Sequence, residues 1–371
     1  MKSVLIVGPN NKKYKMGNTL AITYTKYALE KINIKVKIIN IALGFKKNLV
    51  AKFTIKKVIL FFVIISSFLK NIIFYKNIYI ITSMSTFGFL RDFSFFSLSY
   101  IFKKKIILHL HGGGFRENFF NKQNTFIKLL IKLMYSNSDK IFLLSKKFEK
   151  DFDNIIKKNN IEIIPNTIPL NFEYPKEIFF KNYDKPKILF VSNLIKSKGY
   201  KELILACIEL KKKNLDFECI IIGDFIGFNE DIKKSKEEII SLISAYKLNK
   251  QIKIYEEATN ELKIKSFLNS NIFILPSFYK GEGLPLCLIE AISYSYPLIS
   301  TNHAAITDIL VDGYNGYLID NNEPLTIVKA IDKVMKNKEK IKLMEKNSYE
   351  LFQDKYTPEK IYNIIQTKLI N

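Results

Sequence analysis

Residues 278–291 read Phe-Tyr-Lys-Gly-Glu-Gly-Leu-Pro-Leu-Cys-Leu-Ile-Glu-Ala and follow the apolar run Ile272–Leu275. A short, continuous apolar run suits a strand buried on both faces. The stretch after it reads as a glycine-flanked loop and then a helix over 284–295. Pro285 suits a first helical turn, and Gly283 lets backbone approach a ligand closely. The amides of Gly283 and Leu284 would open this helix, where N–H groups lack partners and attract anions. Glu282 stands in the loop and Glu290 in the helix, with seven residues between them. A diphosphate can rest on such a helix start. A carboxylate one to two turns along can take ribose hydroxyls, and one in the loop can hold sugar hydroxyls.

Working outward, the same alternation fills the chain. Strand-like runs rich in Ile, Val and Leu stand at 3–7, 35–40, 78–82, 105–110, 140–144 and 162–164. A second series stands at 187–191, 217–222, 251–255, 272–275, 297–300 and 316–319, with helices expected at 198–213 and 230–246. Continuous apolar strands separated by helices predict an α/β fold with parallel sheets covered on both faces. Pro165, Pro169, Pro175 and Pro186 break the pattern and mark a hinge. Two domains follow, 1–175 and 176–355, with a terminal helix over 356–371 packing back on the first. Ligands bind beyond the carboxyl ends of such strands, so two facing domains would make a cleft there.

Bulk composition narrows the class. Of 371 residues, 48% are hydrophobic and 25% charged, which is globular. The net charge of +23 favours acidic partners: phosphorylated ligands, an anionic membrane surface or nucleic acid. It is concentrated: Lys46 to Lys105 holds ten Lys and Arg91 against one acid, Asp92, interleaved with Phe and Ile. That resembles a peripheral membrane surface. The apolar stretch from Val58 to Leu69 is twelve residues long, short of the roughly 20 a spanning helix needs. Met1–Gly8 does not read as a signal peptide, and Cys207, Cys219 and Cys287 form no CxxC pair, in keeping with a cytoplasmic chain.

Three further segments carry polar residues. Lys198 precedes Gly199 after the strand at 187–191, near a helix start, where it can neutralise phosphate; Asn193 lies between. His109-Leu110-His111-Gly112-Gly113-Gly114 ends another strand. Two histidines on one strand face could take a metal, but no third ligand of the right kind stands nearby, so no metal is expected. The first connection, Gly8-Pro9-Asn10 to Met16-Gly17-Asn18, matches neither G-x-G-x-x-G nor a P-loop. Asp151-Phe152-Asp153 reads as charged surface.

The 278–291 string, with Pro297–Asn302, Asp308, Asp312-Gly313 and Asn315-Gly316, closely resembles the E-x7-E signature of retaining glycosyltransferases of family 4, which have the GT-B fold. The resemblance implies that Glu282 contacts the transferred sugar and Glu290 the ribose. It places His111 at the donor sugar, Gly17 near the diphosphate or acceptor, and Lys198 on the phosphates. Where the family commonly carries Arg, this chain has Asn193, which keeps hydrogen bonding and loses the charge. Asn166 is similar to the family's Pro-Asn-Gly hinge, though Thr167 replaces the glycine, and it would cap or turn the linker. Gly223-Asp224 resembles a structural glycine turn. The implied activity is metal-independent, retaining hexosyl transfer from a nucleotide-sugar such as a UDP- or GDP-sugar, with no cofactor. The implied acceptor is a saccharide or lipid-linked glycan in cell-surface polysaccharide assembly at the inner face of the plasma membrane. No nucleic-acid partner is expected. Three other readings are a sugar epimerase or phosphorylase on the same two-domain fold, a catalytically inactive GT-B partner subunit and a basic nucleic-acid-binding protein.

Overall fold

The apolar runs of the first half become six parallel strands, the inner ones covered from both sides: β1 (Ser3–Gly8) and β3 (Asn77–Thr82) are buried along their whole length. This is seen in a computed structural model that describes residues 3–10, 17–42, 55–156, 160–227, 231–320 and 322–370. The other strands are β2 (Lys35–Asn40), β4 (Lys105–Leu110), β5 (Lys140–Leu143) and β6 (Ile161–Ile163), in the order β2-β1-β3-β4-β5-β6. Helices α1 (Gly17–Glu30), α2 (Ile55–Ile72), α3 (Thr86–Ile101) and α4 (Thr125–Ser136) connect them. Parallel crossovers are right-handed. The chain steps one way from β1 to β2 and the other way thereafter, so α1 lies on one face and α2, α3 and α4 on the other. The packing agrees, with α2 against α3 and α3 against α4. Local caps fix two of these starts: the Ser85 hydroxyl accepts from the Gly88 amide and the Asn124 side chain from Ile127.

The second sheet is also six-stranded and parallel. It contains β7 (Lys187–Val191), β8 (Glu218–Ile222), β9 (Ile252–Tyr255), β10 (Ile272–Leu275), β11 (Leu298–Thr301) and β12 (Gly316–Ile319), in the order β12-β11-β10-β7-β8-β9. Its helices are α5 (Tyr200–Lys212), α6 (Ile232–Ala245), α7 (Asn260–Asn269), α8 (Leu286–Ser293), α9 (Pro324–Met335) and α10 (Lys338–Lys355). Together the sheets make an α/β chain of two doubly wound units.

The units divide the chain unevenly. The first comprises Met1–Leu170, Gly281–Leu284 and Pro358–Asn371; the second comprises Asn171–Lys280 and Pro285–Thr357. The last helix, α11 (Pro358–Ile370), packs on α1. Its Ile361, Tyr362, Ile365 and Leu369 join Val4, Ile6, Ile22 and Leu29 in one core. At about 1.5–3 kcal/mol for each large apolar side chain buried, α11 is a structural part of the first unit. In the second unit the proline-rich stretch lies along α8 and α10: Ser295 Oγ accepts from the Phe179 amide, and Tyr349 donates to the Lys176 carbonyl.

Candidate active site

A doubly wound sheet binds ligands where neighbouring strands send their connections in opposite directions. In the second unit that point lies between β7 and β10. After β7 the chain passes the partly buried Asn193, a bridge from Leu194 to Phe225, and a single tight turn over Lys196–Lys198. Gly199 then starts α5 with φ +82°, and a Cβ there would lie 2.2 Å from the Pro276 carbonyl oxygen. Both the left-handed backbone and the close approach demand glycine. The neighbouring connection after β10 is tied to this one: the Phe278 amide donates to Ser197 O at 2.8 Å. Thr301 donates to Ser277 O, and His303 Nε2 lies 2.8 Å from Tyr279 O as donor. The Lys198 ammonium consequently sits 5.1 Å from the Tyr279 ring centroid, within cation–π range. Lys198 and Asn193 thus stand at the switch point.

Glu290 is held differently. It is 3% exposed on α8, and Lys263 of α7 pairs with it at 2.6 Å. The Lys263 ammonium also lies 5.1 Å from the Phe172 ring. A buried carboxylate needs such a partner. Nothing in the sequence singled out Lys263, which is 27 positions away among many lysines. His303 was missed for a similar reason, as it acts only through a backbone carbonyl.

In the first unit β4 delivers His109 and His111. His109 is 1% exposed, and the Tyr79 hydroxyl is hydrogen-bonded to its Nδ1. The two imidazole centroids are 3.8 Å apart. Both ring nitrogens of His111 are buried without a hydrogen-bond partner among the described residues. Burial pushes the His111 pKa down to about 3, and it lowers His109 too, reinforced by His111. His111 is therefore a neutral imidazole with donor and acceptor capacity to spare.

Gly281–Leu284 packs beside it. Gly113 N donates to Gly281 O at 3.5 Å, and a Cβ on Gly113 would lie 2.0 Å from the Glu282 carbonyl oxygen. A Cβ on Gly283 would lie 3.0 Å from the His111 carbonyl oxygen. Asn166, 4% exposed, donates to Leu284 O at 2.7 Å and accepts from the Tyr24 hydroxyl. These contacts bring Glu282, Gly283 and Leu284 together with His111. Gly17 is the first residue of α1; residues 11–16 of its loop lie outside the described residues, as does the 46–54 part of the basic stretch.

Three expectations change. The helix after β10 begins at Leu286 rather than Leu284, because Asn166 and the glycine contacts hold 281–284 in the first unit and Pro285 stays extended at ψ 118°. The amides at its open end are those of the first turn after Pro285, and Gly283 and Leu284 precede it. Asn166 neither caps nor turns a linker; it clamps Leu284 to α1. Asp151 is not free surface: its carboxylate accepts the Phe115 amide at 2.9 Å, and Phe152 stacks on Phe115 at 4.7 Å. Gly223, where a Cβ would lie 1.8 Å from Ser192 O, and Asn315, bonded to Ile309 O and Val311 N, are structural. Among the described residues no three of His, Cys, Asp and Glu gather as metal ligands.

With this geometry in hand, residues 172–351 match the family glycosyl transferases group 1. The match covers 180 of the chain's 371 residues. A glycosyltransferase of Methanocaldococcus jannaschii is 28% identical over 284 residues, 73% of this chain and 70% of that one. Among solved structures, sucrose-phosphate synthase from Thermosynechococcus elongatus superposes with a TM-score of 0.78 at 14% identity, covering 99% of this chain and 98% of that one. HepE of Anabaena, in complex with UDP and glucose, gives 0.71 at 14% identity, covering 100% and 99%. At such identities the likeness is one of fold, and that fold is GT-B. Glycosyl transfer is the activity class of the family.

Proposed function

We propose that this chain is a retaining, metal-independent hexosyltransferase. It moves a sugar from a nucleoside diphosphate sugar to a saccharide or lipid-linked glycan during cell-surface polysaccharide assembly, peripherally at the inner face of the plasma membrane. The observation that carries the reading is the second unit's switch point, where Lys198 lies against Tyr279 and Asn193 stands in the same connection. Lys198 and the first-turn amides of α8 take the diphosphate, and Asn193 adds a hydrogen bond without charge. Glu290 takes the ribose hydroxyls, exchanging part of its pairing with Lys263. Glu282 and the neutral His111 hold hydroxyls of the transferred sugar, and Gly17 allows close backbone approach.

Charge grows on the diphosphate as the sugar leaves, and preoriented donors stabilise it; one such donor is worth about 2.7–4 kcal/mol. The acceptor hydroxyl attacks from the face the leaving group departs, which retains the anomeric configuration. No cofactor enters, and the nucleotide-sugar is a co-substrate. HepE's complex with UDP and glucose supports UDP as the first nucleotide to try.

The test is thermal stability against UDP, GDP, ADP, CMP and a short random DNA. A ligand at 100 times its Kd adds about 2.7 kcal/mol. A rise with one nucleoside diphosphate that vanishes in Glu290→Ala supports the donor site, and the product's anomeric configuration then tests retention. A rise with DNA alone, fading in salt, sinks the reading.

A further inference from the structure

Helix α2 is apolar on two sides, and only one is covered. Ile64, Phe68 and Ile72 are buried in the first unit, while Ile59, Phe62 and Val63, and Ile73 just past the helix end, are all more than half exposed. A groove of about 600 Å³ opens along this flank, lined by Ile59, Phe62, Val63, Ser66, Ser67 and Lys70. A contiguous apolar flank left uncovered by the fold marks a surface that meets lipid or a partner. The neighbouring helices of the same sheet face continue the surface. Phe87 and Ile101 of α3 are 73% and 70% exposed, and Phe126 and Leu129 of α4 are 65% and 60% exposed.

The exposed charge carried by these three helices has one sign. Lys70 and Lys76 stand exposed where α2 ends, and Lys103 just past α3. Lys104 Nζ reaches Ile73 O at 3.5 Å, tying the two helix ends together. The single acid between Lys46 and Lys105, Asp92, is wholly buried, pairs with Arg91 and accepts the Ser83 amide. It offers the surface no negative charge. A second copy across a two-fold axis would set this patch against itself, lysine against lysine. The covering partner must be apolar within and anionic at its rim.

We infer that the α2–α3–α4 face docks on an anionic lipid bilayer, with α2 lying flat in the headgroup layer. Apolar side chains enter the acyl boundary while lysines meet the headgroups. No described helix is long and apolar enough to cross a membrane, so this is contact from one side. The inference sharpens the peripheral placement proposed above. It is tested without nucleotide or sugar, so its failure leaves glycosyl transfer standing and the failure of transfer leaves it standing.

The experiment is co-sedimentation of the full chain with vesicles of phosphatidylcholine alone and with added phosphatidylglycerol. The chain should bind the anionic vesicles and release them as salt rises. Phe62→Ser and Ile73→Ser should each weaken binding about tenfold, and Lys70→Glu by a similar factor. Ile240→Ser, at an equally exposed apolar residue of α6 (53%), should change nothing. Melting temperatures of the variants check folding. Absence of binding to anionic vesicles overturns the inference, as does equal weakening by Ile240→Ser. A dimer that Phe62→Ser dissolves, with no vesicle binding, assigns the face to a second copy instead.

Discussion

The two sheets hold six parallel strands each, in different orders. Counted within its own unit, the second runs 3-2-1-4-5-6, and the first runs 2-1-3-4-5-6. In the second, polar residues gather at the switch point itself, and the prominent one is a cation, Lys198 beside Tyr279. In the first, the switch falls between β1 and β3, yet the histidines gather one strand further on, at the end of β4. There the two imidazoles are buried and neutral. One scaffold has produced a charged site by leaving a lysine at the sheet end. It has produced a neutral histidine pair in the other unit by enclosing the imidazoles until protonation becomes costly.

That contrast can be broken most forcefully at Gly113. Gly113→Ala drives a methyl into the Glu282 carbonyl oxygen, which as backbone cannot yield cheaply. Glycosyl transfer should fall by about 100-fold, as a displacement of roughly 1 Å does, while nucleotide-induced stabilisation persists. Loss of both would show that the regions are not separable. Next comes Lys263→Met, which leaves Glu290 buried without its cation. Lys263 is 23% exposed, so the cost should be about 2 kcal/mol in urea unfolding, below the range for a fully buried pair. An unchanged midpoint would mean that Glu290 does not depend on Lys263.

Lys198→Ala should weaken nucleoside diphosphate binding about tenfold, near 1.4 kcal/mol. Nucleoside binding should be unaltered, as titration calorimetry would reveal. A further effect concerns acid. The folded-state pKa of His111 is depressed from 6.5 to about 3. The unfolded chain therefore binds the extra proton first, and stability is lost as pH falls from 6.5 toward 3, at no more than about 1.4 kcal/mol per pH unit. His111→Asn should flatten that limb of the melting curve. An unchanged limb would place the imidazole in contact with water.

Much of this was legible in the sequence, unevenly between the units. Runs such as Lys105–Leu110 and Lys187–Val191 announce strands because both faces are covered, leaving little place for polar residues. Lys198 was legible through Gly199, since glycine after lysine at a strand end reports a constrained backbone. The start of α8 was not, because Asn166, 118 positions from Leu284, decides it. Nor was Asp151, whose charge suggests surface while its partner is an amide 36 positions away. Local pattern records what a segment needs from its own neighbours, and these residues are fixed by distant ones.

Helix α11 closes the core around β1 and α1 although more than 300 residues separate them. A ribosome makes the chain from its first residue onward, so the unit begun first is completed last. Until Ile361, Tyr362, Ile365 and Leu369 emerge, Val4, Ile22 and Leu29 lack part of their cover. The second unit, lying between, can fold while the first still waits. The nascent chain therefore carries an unfinished apolar surface for most of its synthesis, the condition in which chaperones engage.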